Sequence, residues 1–195
     1  MPSLVQKPAP DFKAKAVMPD NSIVEIALAD YRDRYVVLFF YPLDFTFVCP
    51  TEIIAFDESF DQFRKKNAQL IGVSIDSEYT HLAWKNLSPS EGGIGAIRYP
   101  LVSDLNKEIA RSYGVLTEEG VALRGLFIID KEGIVRHELI NDLGLGRSVT
   151  EAFRILDALK HYEDFGEVCP ANWEYGEKAV VPTSAGIAEY LSSRE

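Results

Sequence analysis

Hydrophobic positions along this chain switch repeatedly between a period of two and a period near 3.6, the signatures of strand and helix. Residues 12–18 and 23–28 read as a hairpin around Pro19-Asp20-Asn21, with Val24, Ile26 and Leu28 alternating onto one face. The run Tyr35-Val-Val-Leu-Phe-Phe-Tyr41 is apolar on both faces, as a central buried strand is. After Pro42 and a short loop, the spacing of Ile53, Phe56, Phe60 and Phe63 predicts one helix from near Val48 to about Lys66. A second buried strand is expected from Leu70 to Ile75, followed by a helix from Ser77 to about Leu87. Glu91-Gly-Gly-Ile-Gly95 is a glycine-rich loop. Tyr99 to Val102 reads as a short extended segment, and Lys107 to Tyr113 as a short helix ended by Gly114.

Gly125 to Asp130 and Ile134 to Ile140 are expected strands, joined as a hairpin across Lys131-Glu132-Gly133. Ser148-Val-Thr-Glu151 has the form of a capping box, and Ala152, Phe153, Leu156 and Leu159 give the helix behind it an apolar stripe. From Gly166 onward Pro170, Gly176, Pro182 and Gly186 punctuate the chain, leaving room for one short helix near Ala185 to Leu191. A β-α-β half followed by a β-β-α half is the order of an α/β, thioredoxin-like fold, a mixed central sheet sandwiched by helices. The expected organisation is one domain over residues 1–165 and a C-terminal arm over 166–195.

Charge narrows the partners. Thirty acidic and twenty basic side chains leave a net charge of −10, which repels phosphate backbones and anionic lipid, so neither nucleic acid nor a membrane is an expected partner. The longest wholly apolar run, Tyr35 to Tyr41, is far shorter than the roughly 20 residues of a spanning helix. The first residues, Met1-Pro-Ser-Leu-Val-Gln-Lys-Pro, resemble neither a secretory signal nor a transit peptide, so a cytoplasmic address is expected.

Cys49 and Cys169 are the two cysteines of the sequence, 169 − 49 = 120 positions apart. Two thiols exclude a four-thiolate metal site, and no C-x-x-C pair is present. His81, His137 and His161 lack ligand spacing, so no metal is expected. In a reducing compartment a structural disulfide is improbable, and disulfides that form there tend to be transient and catalytic. The plain alternative for either cysteine is a small buried hydrophobe.

The neighbours of Cys49 favour chemistry. It follows the C-terminal end of a buried strand and falls in the first turn of the next helix, the edge of an open α/β sheet where ligands collect. A helix N-terminus offers unpaired N–H groups and partial positive charge, both of which favour a thiolate. Pro50 suits a helix start, and Thr46 is spaced to bring a hydroxyl to the sulfur. Trp84, Phe47 and Tyr41 read as packing residues, Tyr41 near the pocket. The glycines at 92, 93 and 95 are not followed by the Lys-Ser/Thr of a phosphate loop.

Pro42-x-x-x-Thr46-x-x-Cys49, continued as Phe-Val-Cys-Pro-Thr-Glu52, resembles the active-site signature of the peroxiredoxins, in the form of their typical two-cysteine branch. Glu167-Val-Cys169-Pro-Ala-x-Trp173 is similar to that branch's second-cysteine motif, and the likeness runs nearly end to end through Gly92-Gly-Ile-Gly95 and Asn141-Asp142-x-x-x-Gly146-Arg147-Ser148. The resemblance implies a thiol peroxidase acting on hydrogen peroxide and organic hydroperoxides, with no nicotinamide, flavin, haem or other cofactor on this chain. It casts Cys49 as the attacking thiolate that becomes a sulfenic acid, Thr46 as a partner of peroxide and sulfur, and Pro42 as a shield against water. It makes Arg124 the active-site arginine, with Glu52 and Arg147 as the pair that orients it. It also implies that Cys169 of a second copy resolves the sulfenate, so that a homodimer carries two intersubunit Cys49–Cys169 disulfides, reduced by a thioredoxin-like protein. Such dimers assemble into decamers in the family, through a contact near the Phe45-Thr46 loop and residues 76–84.

Members prone to oxidation beyond the sulfenate carry Gly-Gly-Leu-Gly and a Tyr-Phe pair in the C-terminal helix; this chain has Gly-Gly-Ile-Gly and Tyr190-Leu191. The lost aromatic ring implies a looser tail and less overoxidation of the sulfenate to sulfinate, a step to which two-cysteine peroxiredoxins are subject. Three other readings stay open at this level: a redox relay that oxidises a partner protein through Cys49, a holdase chaperone, and a purely structural module.

Overall fold

The computed structural model describes residues 2–193. Its strands are β1 (Lys13–Val17), β2 (Ile23–Ala27), β3 (Tyr35–Phe40), β4 (Ala68–Ser74), β5 (Leu101–Ser103), β6 (Arg124–Ile129) and β7 (Val135–Asn141). They form one sheet in the order β2-β1-β5-β4-β3-β6-β7. β3 and β5 run parallel to β4, and the other pairings are antiparallel, so the sheet is mixed. The helices are α1 (Cys49–Glu58), α2 (Phe60–Lys65), α3 (Glu78–Lys85), α4 (Glu108–Ser112), α5 (Val149–Phe165) and α6 (Ser184–Ser192).

Every residue of β3 is buried, which explains why it is apolar on both faces, whereas in β2 only Ile26 is buried and Val24, expected on the same face, is exposed. Val36, Leu38 and Phe40 enter a core with Ile71, Val73, Val102, Phe127 and Ile129. On the opposite face Phe39 stacks on Phe56 of α1 at 4.6 Å and meets Tyr99 edge-on at 5.8 Å. The sheet face that carries Phe39 therefore fixes where α1, and Cys49 at its head, lies.

The single helix expected from Val48 to Lys66 is two helices. α1 ends at Glu58, and Ser59 (φ −94°, ψ 1°) separates it from α2. At the break Arg98 Nη2 donates to the Asp57 carbonyl, the acceptor that an unbroken helix would offer four residues on. Phe47, expected to pack, is 92% exposed, whereas Trp84 and Tyr41 are fully buried. Phe47 follows a turn in which Phe45 adopts φ +55°, and that turn directs it away from the core. The extended segment expected at 99–102 is shifted to β5, Leu101–Ser103, so Tyr99 precedes the strand.

Contacts divide the chain into two compact units, Met1–Val149 and Thr150–Glu195. The first holds the sheet. In the second, Trp173 is buried and donates its indole N–H to Glu177 O at 3.0 Å, and Val168 and Val180 form an antiparallel bridge. α6 begins with Thr183 capping Gly186 N–H at 3.0 Å, and its Leu191 is 56% exposed. Among the described residues no helix is long and apolar enough to cross a membrane.

Candidate active site

β3 sits inside the sheet, and the chain leaves its C-terminal end through buried Tyr41 and Pro42 before turning at Phe45 into α1. Cys49 is the first residue of α1, carries a free thiol and has no solvent exposure. Thr46 Oγ1 stands 2.9 Å from Cys49 Sγ and 2.9 Å from Leu43 O. One hydroxyl has one proton. When the sulfur is a thiol, it can donate to Oγ1 while Oγ1 donates to Leu43; when the sulfur is a thiolate, Oγ1 is free to turn its proton to it.

Arg124, the first residue of β6, is buried and faces the same sulfur, its Nη1 3.4 Å from Sγ. That nitrogen also donates to Glu52 Oε2 at 2.6 Å, and Nε donates to Leu143 O at 2.8 Å. Glu52 lies one helical turn beyond Cys49, so the two side chains share a face of α1. Arg147 completes the group. Its backbone N and Nε reach Glu52 Oε1 at 2.8 and 2.7 Å, and Nη2 reaches Oε2 at 2.9 Å. Its Nη1 donates to Phe40 O at 2.8 Å and Gly125 O at 2.6 Å, while the guanidinium lies over the Phe39 ring at 5.3 Å.

Burial alone would push the Glu52 carboxyl up. The Arg147 hydrogen bonds and charge, with the Arg124 charge, outweigh that and hold it below its ordinary range. Two guanidiniums therefore share one carboxylate, and a net positive charge is left beside the sulfur. Such a pocket stabilises an anionic sulfur and any negative charge that develops on an oxygen brought against it.

A second buried cluster supports the loop, and the sequence reading did not single it out. Asp44 Oδ1 accepts the Tyr41 hydroxyl at 2.9 Å, and Oδ2 meets His81 Nδ1 at 2.7 Å. Asp44 N–H donates to Asp76 Oδ2 at 2.9 Å. His81 Nε2 lies 3.2 Å from Val102 O, and a carbonyl only accepts, so that nitrogen carries a proton. Burial pushes the Asp44 carboxyl up, opposed by the His81 hydrogen bond and charge. A signal existed: Glu78, His81, Trp84 and Lys85 are the buried residues of α3, at helical spacing. A histidine on such a stripe needs a buried polar partner.

Cys169 lies in the second unit, half-buried, its sulfur 3.6 Å from Ala158 O of α5. Burial pushes its thiol up; the Arg154 charge opposes this and the Glu167 charge adds to it. Arg154 is itself held by Glu151 at 2.7 and 2.8 Å. His161 pairs with Glu167 at 2.9 Å, with the Trp173 ring 5.0 Å away.

The first unit thus brings together Cys49, Thr46, Arg124, Glu52 and Arg147, with Pro42 buried in the same loop. Among the described residues, no three His, Cys, Asp or Glu side chains group as metal ligands.

The AhpC/TSA family model matches residues 5–138, and the model for the C-terminal domain of 1-Cys peroxiredoxin matches 158–193. A protein of Cynops pyrrhogaster named peroxiredoxin is 54% identical, over 98% of this chain and 96% of its own. One of Echinococcus granulosus named thioredoxin peroxidase is 52% identical, over 99% of this chain and 100% of its own. The crystal structure of a reduced 2-Cys peroxiredoxin of Plasmodium vivax matches with a TM-score of 0.96 at 52% identity, covering 98% of this chain and all of that one.

Proposed function

This chain belongs to the AhpC/TSA family, and from that membership and the geometry around Cys49 we propose that it is a thioredoxin-dependent peroxidase for hydrogen peroxide and organic hydroperoxides. The observation that carries the reading is one sulfur facing the Thr46 hydroxyl at 2.9 Å and the Arg124 guanidinium at 3.4 Å. The Cys49 thiolate attacks one peroxide oxygen. A sulfur–oxygen bond forms as the O–O bond breaks, sulfur gives up two electrons, and the second oxygen leaves as water or an alcohol once it takes a proton. Thr46 and Arg124 hold the peroxide, and Arg124 offsets the charge moving onto the leaving oxygen. Glu52 and Arg147 keep Arg124 aimed, and Pro42 shields the product sulfenate from water.

The Cys169 thiolate of a second copy then attacks the Cys49 sulfenic sulfur, forming the S–S bond and expelling the oxygen as water. The arm from residue 166 carries that thiol, and two such bonds link a homodimer that can build decamers. A thioredoxin-like dithiol supplies two electrons, becoming a disulfide as both cysteines return to thiols. No further cofactor takes part, and the cytoplasm is the compartment in which this cycle is placed.

A non-reducing gel after stoichiometric hydrogen peroxide tests the reading. A covalent dimer in the wild type, reversed by thioredoxin and absent in Cys49→Ser and Cys169→Ser, is the expected result. Oxidation without a covalent dimer would refute intersubunit resolution, and no consumption of peroxide would refute the peroxidase.

A further inference from the structure

A disulfide to Cys49 requires its sulfur to leave a pocket in which the residue has no exposure, so part of α1 must unwind. Where the unwinding stops depends on what grips the helix. The backbone of the first turn hangs on one acceptor, Val48 O, which also takes the Thr51 hydroxyl at 2.6 Å. Val48 caps it with no side-chain bond, Pro50 has no N–H, and the amides of Thr51 and Glu52 both turn to Val48 O, at 3.1 and 3.3 Å. From Glu52 the grip tightens, because its carboxylate is fixed by Arg124 and Arg147.

Beyond Glu52 the next grip comes from two consecutive residues just before β5. Tyr99, fully buried, donates its hydroxyl to Ile53 O at 2.7 Å. Arg98 takes Asp57: its backbone N–H donates to Oδ1 at 2.6 Å, Nε lies 3.3 Å from both carboxylate oxygens, and Nη2 donates to the carbonyl. Its Nη1 reaches Asp61 Oδ2 in α2 at 3.0 Å, and the guanidinium lies over the Phe60 ring at 4.9 Å. The Arg98 charges are partly exposed and screened, so the buried Tyr99 bond and the backbone N–H bond carry more of the hold.

We propose that Arg98 and Tyr99 are positioning residues that stop the opening of α1 at Ile53. They thereby govern how readily the Cys49 sulfenate leaves its pocket for the resolving thiol, an inference that rests on the peroxidase reading above. The clamp touches neither sulfur nor peroxide. The first oxidation therefore proceeds at the same rate without it, whereas the step after it changes. In the closed pocket a second peroxide can add its oxygen to the sulfenate, giving a sulfinate and another water or alcohol. A looser helix opens more often, forms the disulfide faster and yields less sulfinate.

The test compares wild type, Tyr99→Phe and the surface variant Arg98→Ala by native-state hydrogen exchange and by stopped-flow and mass measurement after graded peroxide. Expected are exchange of the amides at 53–57 about fivefold faster in Tyr99→Phe, a smaller rise in Arg98→Ala, which keeps the backbone N–H bond to Asp57, and a lower sulfinate yield at fixed dose in the same order, with the rate of first oxidation unchanged. Wild-type exchange at 53–57 in both variants would overturn the clamp. So would faster exchange with an unchanged ratio of disulfide to sulfinate. If the wild type does not react with peroxide, the peroxidase reading fails by itself, and the exchange data still decide where the helix opens.

Discussion

Arg124 and Cys49, 75 positions apart in the chain, face each other across 3.4 Å, both buried. One is at the start of β6 and the other at the start of α1, so sheet pairing between β3 and β6 sets their distance. Removing the guanidinium therefore removes charge at the point where the peroxide bond breaks. Arg124→Ala is expected to slow oxidation of Cys49 by about 10²–10³-fold, and Arg124→Lys to recover little, since one ammonium nitrogen cannot stand at both the Nη1 position beside sulfur and Glu52 and the Nε position beside Leu143 O. Stopped-flow peroxide kinetics measure both.

Thr46 contributes a single hydroxyl proton, on an oxygen 2.9 Å from the sulfur. Thr46→Val keeps the shape and deletes that proton, and a fall of about 10²-fold in oxidation rate is expected, with Thr46→Ser close to wild type. Equal rates for the valine and serine variants would remove the hydroxyl from the chemistry.

Much of this arrangement was legible in the sequence, for identifiable reasons. Tyr35–Tyr41 reads as a central strand because both its faces meet core, and Cys49 reads as a helix start because Pro50 and Thr46 frame it. The grouping of Arg124, Glu52 and Arg147 came from family resemblance, since no local pattern brings together residues 52, 124 and 147. The break at Ser59 leaves no local signal in the sequence, and the Arg98 side chain that meets Asp57 there lies 41 positions away. Phe47 misled the reading: its apolar side chain suggested packing, but a turn with positive φ at Phe45 precedes it. The Asp44–His81 pair is only half legible, because the stripe on α3 marks His81 as buried while its carboxylate lies 37 positions away.

Glu52 links acid sensitivity to the site. Its folded-state pKa lies below the ordinary 4.5, so its contribution to stability is fully present above 4.5 and is lost as pH falls through the lowered folded value. Glu52→Gln leaves two guanidiniums without their carboxylate and is expected to cost about 3 kcal/mol at neutral pH. In urea unfolding curves the gap between wild type and variant should close as the pH drops below 4.5.

Asp44 shows the opposite sign. Burial raises its pKa above 3.8, so its charged form is disfavoured in the folded protein, and this acid loses stability as pH rises from 3.8 through the folded value. Asp44→Asn retains an acceptor for Tyr41 and a polar partner for His81, whereas Asp44→Ala strands both. A loss of about 2 kcal/mol is expected for alanine, with a smaller one for asparagine. Thermal unfolding ranks the two, and an alanine variant as stable as the asparagine one would show that the cluster does not hold the loop.

The most direct measurement is the mass of the Cys169→Ser protein after one equivalent of hydrogen peroxide, with a sulfenate-trapping reagent present and the adduct mapped by peptide. One adduct at Cys49, slowed in Arg124→Ala and absent in Cys49→Ser, is the result expected of a sulfur poised by Thr46 and Arg124. A protein that stays unmodified while peroxide persists would contradict it.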